Sequence, residues 1–304
     1  MVSSAQKDVH CLLFDIFRFE KCILSVIRNI KREKPVAKLK YKLTNDILFK
    51  MLFVRNQDLL KRLTAAFLRV PVIEINEFTV TNPEMPPEAL GEKFCRLDIK
   101  MLVNGQILDL EIQVADEKDF RERSLFHWAR AFSSALDRGK GYISLPKTIV
   151  VSILAFPLFE CEKFHSEFDI LETTRHERLT DKLNMHYFEL PKLPKNVIEN
   201  DSGSPDDFNL WLALFNAKTE EDLEKIQAIG GEIMKKVVEA YHYVSTTDEF
   251  KELERLRFDA SCNEAAALHA KAIEIAKSLK TIGKMTIDEI AEATKLSVDE
   301  VLKA

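Results

Sequence analysis

In the stretch CRLDIKMLVNGQILDLEIQ, Cys95 to Gln113, two carboxylates have the type and spacing to hold a divalent cation, Asp98 and Glu111, and an amide stands beside them at Gln113. Asn104-Gly105, flanked by the apolar runs Leu97, Ile99, Met101 and Ile107 to Val114, is a strong two-residue hairpin turn. That turn sets Asp98 opposite Glu111 across two antiparallel strands. Like charges facing each other destabilise a sheet unless solvent or a cation lies between them. A hard cation such as Mg²⁺ accepts a carboxylate pair together with waters and phosphate oxygens. Strand alternation turns Gln113 to the same face as Glu111 and Ile112 to the core. An amide there orients a water or a phosphate, but it is no base near neutral pH. A solvated strand face that simply carries Asp, Glu and Gln is the competing reading, and the spacing is compatible with both.

The elements that must position these residues are readable around the hairpin. KLTNDILFKMLF has Thr44 or Asn45 as a cap and Ile47, Leu48, Met51 and Leu52 at helical spacing, and NQDLLKRLTAAFLRV is a second helical run that stops at Pro71. Ile73, Ile75, Phe78 and Val80 then alternate as in a strand. From Phe120 to Asp137 the pattern is helical, with Leu125, Trp128, Ala129, Phe132 and Leu136 expected to pack on a sheet and Arg123, His127, Arg130, Ser134 and Arg138 on another face. KTIVVSILAF reads as a strand buried on both sides, and one or two further strands are expected in SEFDILETTRHERLTDKLNMHYFEL. Beyond a boundary near Pro191 the pattern is helical to the end.

Composition restricts the possible classes. The chain has 304 residues, a net charge of -5 and 31% charged residues, so no global basic field marks a nucleic-acid partner, although a local stripe remains compatible. Five cysteines without CxxC spacing fit free thiols in a reducing compartment. The apolar run CLLFDIFRFEKCILSVIRNI is broken by Asp15, Arg18, Glu20 and Lys21, which argues against a membrane span or signal peptide and for a cytoplasmic protein. Residues 1–36 are expected to be an N-terminal extension, 37–190 the sheet-containing domain and 191–304 a helical C-terminal region.

In order along the chain, the helix NDILFKMLF, the strand with Asp98, the strand ending EIQ and the segment RSLFHWARAFSSALDRGKGYISLPKTIVVSIL resemble the Rpn-type recombination-promoting nucleases, a group also described as transposases, of the PD-(D/E)XK nuclease superfamily. The resemblance covers about residues 40 to 190, and KMTIDEIAEATKLSVDEVLKA resembles a tail frequent in that group. It implies an α/β restriction-endonuclease-like core, a mixed sheet flanked by helices, that cuts DNA phosphodiester bonds with Mg²⁺ or Mn²⁺. It also implies that Asp98 and Glu111 are the metal-binding catalytic carboxylates, and that Gln113 stands where the superfamily usually has lysine. That departure leaves water activation to the ion, with Gln113 positioning the water. In this setting Arg123, Arg130 and Arg138 gain a reading as phosphate contacts, against the alternative of a solvated helix face. A nuclease-fold protein without catalysis, binding DNA or protein, is the rival. Double-strand cutting would favour a homodimer.

The remaining candidates have plainer readings. Asp46 suits a first-turn residue favoured by the helix dipole, although it or Lys50 could reach a metal or DNA. Glu172 and His176 have the i, i+4 spacing of a helical ligand pair but lack a third ligand. Cys161 is expected to be a buried thiol, and Tyr142 a core or rim residue. The terminal MTIDEIAEATKLSVDEVLKA has a helix-turn-helix outline, but its second helix offers base edges mostly acidic residues, so packing or partner binding is expected.

Overall fold

The hairpin forms in the expected register. In the computed structural model, which describes residues 37–82, 98–115, 118–136, 138–194 and 208–304, strands β2 (Ile99–Val103) and β3 (Gln106–Gln113) pair antiparallel from Val103↔Gln106 to Ile99↔Leu110. Asn104 and Gly105 both take positive φ, 48° and 73°, as a two-residue turn of this hand requires. The Asn104 amide fixes the turn from outside: Oδ1 accepts from the backbone N–H groups of Asn76 and Glu77, and Nδ2 donates to Glu74 O. The expected N-terminal extension lies outside the described residues.

Six strands form one mixed sheet in the order β1-β2-β3-β4-β6-β5. Strand β1 (Phe78–Val80) pairs antiparallel with β2, while β4 (Thr148–Leu154) runs parallel to both β3 and β6 (Leu183–Glu189), and β5 (His165–Phe168) closes the far edge antiparallel to β6. Every residue of β4 is buried, which is why KTIVVSILAF reads as an unbroken apolar run. Strand β1 is shorter than the alternation predicts: Val72–Glu74 forms a 3-10 turn after Pro71, leaving Ile73 exposed.

The two faces of the sheet have different coverings. On one, Ile99, Met101, Leu108, Leu110, Ile112, Ile149, Val151 and Phe188 join the main core with helices α1 (Asp46–Arg55) and α2 (Gln57–Leu68). The same core takes in Trp211 and Phe215 of α4 (Phe208–Asn216), Met234 and Tyr241 of α5 (Glu220–Thr246) and Phe250 of α6 (Asp248–Ile282), so apolar packing is continuous across position 191. Thr219 caps α5 with a capping box, accepting from Asp222 N while the Asp222 carboxylate accepts from Thr219 N. Thr219→Ala is expected to lower stability by about 1 kcal/mol, read as a lower urea midpoint at unchanged slope.

The other face is covered by α3 (Phe120–Ser134), the crossover between the parallel strands β3 and β4. Its orientation corrects the sequence expectation. Leu125 and Ala129 are exposed, and the inward edge carries Phe120, Arg123, Ser124, His127, Trp128 and Ala131. Phe120 enters the small cluster of Val150, Leu154, Met185 and Tyr187, Trp128 Nε1 donates to Thr148 O, and Ser124 Oγ shares a 2.7 Å hydrogen bond with Tyr187 OH. The rotation has a physical reason: at the β2–β3 end the sheet face under this helix is charged, so polar side chains satisfy it better than Leu125.

The C-terminal helices α7 (Ile287–Thr294) and α8 (Val298–Lys303) fold back on the long α6, where Ile290, Leu296 and Val301 pack around Ala276. Among the described residues no helix is long and apolar enough to cross a membrane.

Candidate active site

Alternation along the hairpin gathers the acidic residues on the face beneath α3. Ile99 and Met101, Leu110 and Ile112 point to the main core, so Asp98 and Lys100, Asp109, Glu111 and Gln113 point the other way. The register pairs Lys100 directly with Asp109 and, continued by one residue, places Asp98 opposite Glu111. All three carboxylates are buried: Asp98 and Glu111 are 8% exposed and Asp109 5%.

Each is held differently. Asp98 Oδ2 lies 3.1 Å from Lys100 Nζ, and Asn82 ties down the strand entry by donating to Asp98 O and accepting from Lys100 N. Glu111 Oε1 accepts a hydrogen bond from Ser152 Oγ, 2.9 Å away on the parallel neighbour β4. Asp109 Oδ1 is buried without a hydrogen-bond partner among the described residues. Burial, and then the charge of Asp98, hold Asp109 well above the usual carboxylate range, with Lys100 pulling in the opposite direction. Burial would lower the Lys100 pKa, but Asp109 and Asp98 together outweigh it and raise the value. Lys100 is therefore a fixed positive charge at neutral pH and not a base.

A cleft of about 620 Å³ opens between this end of the sheet and α3, lined by Asp98, Lys100, His127, Arg130 and Ser134. Arg130 is exposed and close enough to Lys100 for its charge to be felt there. Arg123 is half-buried with its guanidinium 5.2 Å from the Phe120 ring. Arg138 is exposed beyond the end of α3. Gln113 stands at the strand's end, its Nε2 donating to Ala115 O, and lines a separate hollow with Lys42, Asp46 and Arg257. Asp98 thus lines one cleft with Arg130, Glu111 shares its sheet face and is tied to Ser152, and Gln113 lines a different hollow.

Asp109, Lys100, Asn82 and Ser152 are absent from the sequence-derived set. The alternation that paired Gln113 with Glu111 applies equally to Asp109 and, on the other strand, to Lys100. Asn82 and Ser152 carry no such signal, because their contacts depend on which strands become neighbours.

Several other expectations change. Asn45 is the cap of α1, accepting from Leu48 N, and both Asp46 carboxylate oxygens are engaged by Arg257 of α6. Lys50 is buried. Glu172 and His176 are not a helical pair but span a turn, with His176 at φ 57° and the Glu172 carboxylate accepting from Thr174 and Arg175. Cys161 is exposed, not buried, because it lies in the bends between β4 and β5. Tyr142 is exposed, in the short turn before β4, and so is not a core residue.

Compared with known proteins, the chain matches the family model of the PD-(D/E)XK nuclease family transposases over residues 43–271. No curated protein and no solved structure matches it.

Proposed function

The chain belongs to the PD-(D/E)XK nuclease family transposases, and from that premise we propose that it is a metal-dependent endonuclease hydrolysing phosphodiester bonds in DNA, in the setting of recombination or mobile elements. The observation that carries this reading is the convergence of Asp98, Asp109 and Glu111, all buried, on one sheet face, where Asp98 lines a cleft with Lys100 and Arg130. The donor set fits a hard divalent cation such as Mg²⁺ or Mn²⁺: the groups are oxygens, they repel one another, and Asp109 Oδ1 is buried without a partner. Asp98 and Glu111 would hold the ion, with Asp109 behind them. When bound, such an ion polarises a phosphoryl oxygen and neutralises developing charge.

The chain's own residues supply the rest. Ser152 fixes the Glu111 carboxylate by its hydrogen bond. Lys100, held protonated between Asp98 and Asp109, offers a positive charge from the neighbouring strand where Gln113 has none. Arg130 faces the cleft and positions the phosphate backbone without reading sequence. The test is relaxation of supercoiled plasmid with Mg²⁺ or Mn²⁺, comparing wild type with Asp98→Asn and Glu111→Gln. Equal cleavage in all three overturns the reading. Arg130→Ala is expected to weaken DNA binding about tenfold and to reduce the slope of log affinity against log salt by about one, measured by fluorescence anisotropy across a salt series.

A DNA-binding protein without cleavage is the second reading, favoured by Gln113, whose amide is committed to Ala115 O. It predicts a gel shift by wild type that Arg130→Ala weakens, with plasmid intact at every metal concentration.

A further inference from the structure

On the opposite face of the sheet, at its far edge, stands a second group of ligating side chains that the nuclease reading does not use. His165 and Glu167 lie two apart on β5, and His186 is the cross-strand partner of Glu167 on β6, so alternation puts all three on one side. One ligand atom from each lies within 4.8 Å of the others. The side is that of Phe188 and the main core, whereas Tyr187, the alternate residue, belongs to the cluster under α3. We propose that His165, His186 and Glu167 form a binding site for a transition-metal ion of the Zn²⁺ class, separate from the carboxylate centre on the other face.

Four observations support it. His165 Nε2 and His186 Nδ1 face each other at 3.1 Å as a hydrogen-bonded pair, the contact an ion would replace. Two nitrogens each about 2.1 Å from one ion stand about 3.0 Å apart at a right angle and about 3.4 Å apart in a tetrahedron. The His186 tautomer is set from outside, because its Nε2 donates to Asn184 Oδ1 at 2.5 Å, which leaves Nδ1 as the acceptor that faces His165 Nε2. The same Asn184 donates through Nδ2 to Glu167 Oε1 at 2.9 Å, so one amide orients two of the three ligands. The His165 ring is held by stacking on Phe188, with centroids 4.4 Å apart.

The imidazoles are also in the form that ligates. Burial, and then the facing His186, push His165 down to about 4, and burial lowers His186 as well. Two imidazoles with one carboxylate suit Zn²⁺, Co²⁺ or Ni²⁺ better than Mg²⁺. The group opens on a cavity of about 410 Å³ that Arg69, Lys147 and Glu74 also line, so solvent or a small anion has room at the ion's remaining positions. Since among the described residues β5 pairs only with β6, an ion here would clamp the edge strand to the sheet.

The test uses the full chain carrying Asp98→Asn and Glu111→Gln, so that the carboxylate centre is silent, stripped with a chelator and titrated with CoCl₂ and then ZnCl₂. One equivalent of Co²⁺ is expected to give visible d–d absorption that Zn²⁺ displaces. His165→Gln or His186→Gln should abolish the band, and Glu167→Gln should weaken affinity at least about tenfold. MgCl₂ should produce nothing. Melting of each variant without metal checks that it is folded. If a histidine variant does not fold, X-ray absorption at the zinc edge of the histidine-intact protein decides: two imidazole ligands support the site, and thiolate ligands overturn it. No binding at about a hundred micromolar, or a band that survives in a folded His165→Gln, His186→Gln double variant, also overturns it.

Discussion

Asp98→Asn and Glu111→Gln are each expected to reduce plasmid cleavage by about a thousandfold or more while leaving the protein folded. The magnitude follows from what the carboxylates hold. A divalent ion is worth several kcal/mol of transition-state charge stabilisation, and each 1.36 kcal/mol is about a factor of ten in rate. Both substitutions keep shape and remove charge from a face where like charges crowd, so melting temperatures should not fall much. Glu111→Gln retains an oxygen to accept from Ser152 Oγ, and Asp98→Asn gives up the ion pair with Lys100 but keeps an oxygen to accept from Asn82 Nδ2. Raising Mn²⁺ should recover part of the activity if the variants bind the ion weakly. Ser152→Ala provides the contrast: the carboxylate remains but loses its orienting hydrogen bond, so the expected loss is about tenfold to a hundredfold. Cleavage by Asp98→Asn at the wild-type rate would place the chemistry elsewhere on the chain.

The hairpin and the site are legible in the sequence to different depths. Asn104-Gly105 determines a register, and the register determines a face, so the opposition of Asp98 and Glu111 follows from a turn signal and a period of two. The buried run of β4 and the two helices before the sheet are legible for the same reason: the pattern is local. What is not local is which neighbour a strand finds. Ser152 lies 41 positions from Glu111 in sequence and reaches it only because β4 lies parallel to β3 in one particular register. His165, Glu167 and His186 are scattered as single residues until β5 and β6 pair. Helix α3 shows the opposite failure. Its apolar residues select one face by hydrophobicity, but the sheet beneath it is charged at one end and apolar at the other, and the helix turns the edge that answers both. The face of an amphipathic helix is thus set by the chemistry of what it covers.

Asp109→Asn is expected to separate function from stability. The side chain is buried, Oδ1 has no hydrogen-bond partner, and burial followed by the charge of Asp98 raises its pKa well above the ordinary value of 3.8. The sign of the pH dependence follows. An acid whose folded pKa is raised contributes stability that is present below its unfolded pKa and lost as pH rises through the folded value. Wild type without metal therefore loses stability as pH rises above the ordinary value of 3.8 toward the raised folded one, and the neutral amide of the variant does not. The two proteins should melt together near pH 4, with the variant ahead by about 1–2 kcal/mol at neutral pH, a rise of a few degrees. Mg²⁺ or Mn²⁺ should narrow the gap by stabilising wild type through binding. Cleavage should move the other way and fall about a hundredfold, because the charge that destabilises the empty face is the charge that draws the cation in. Melting curves with and without metal across this pH range, set beside plasmid cleavage by the same preparations, measure both halves. A variant less stable than wild type at neutral pH without metal would mean that Asp109 is held by interactions its carboxylate needs, and that its repulsion by Asp98 is not what shapes this face.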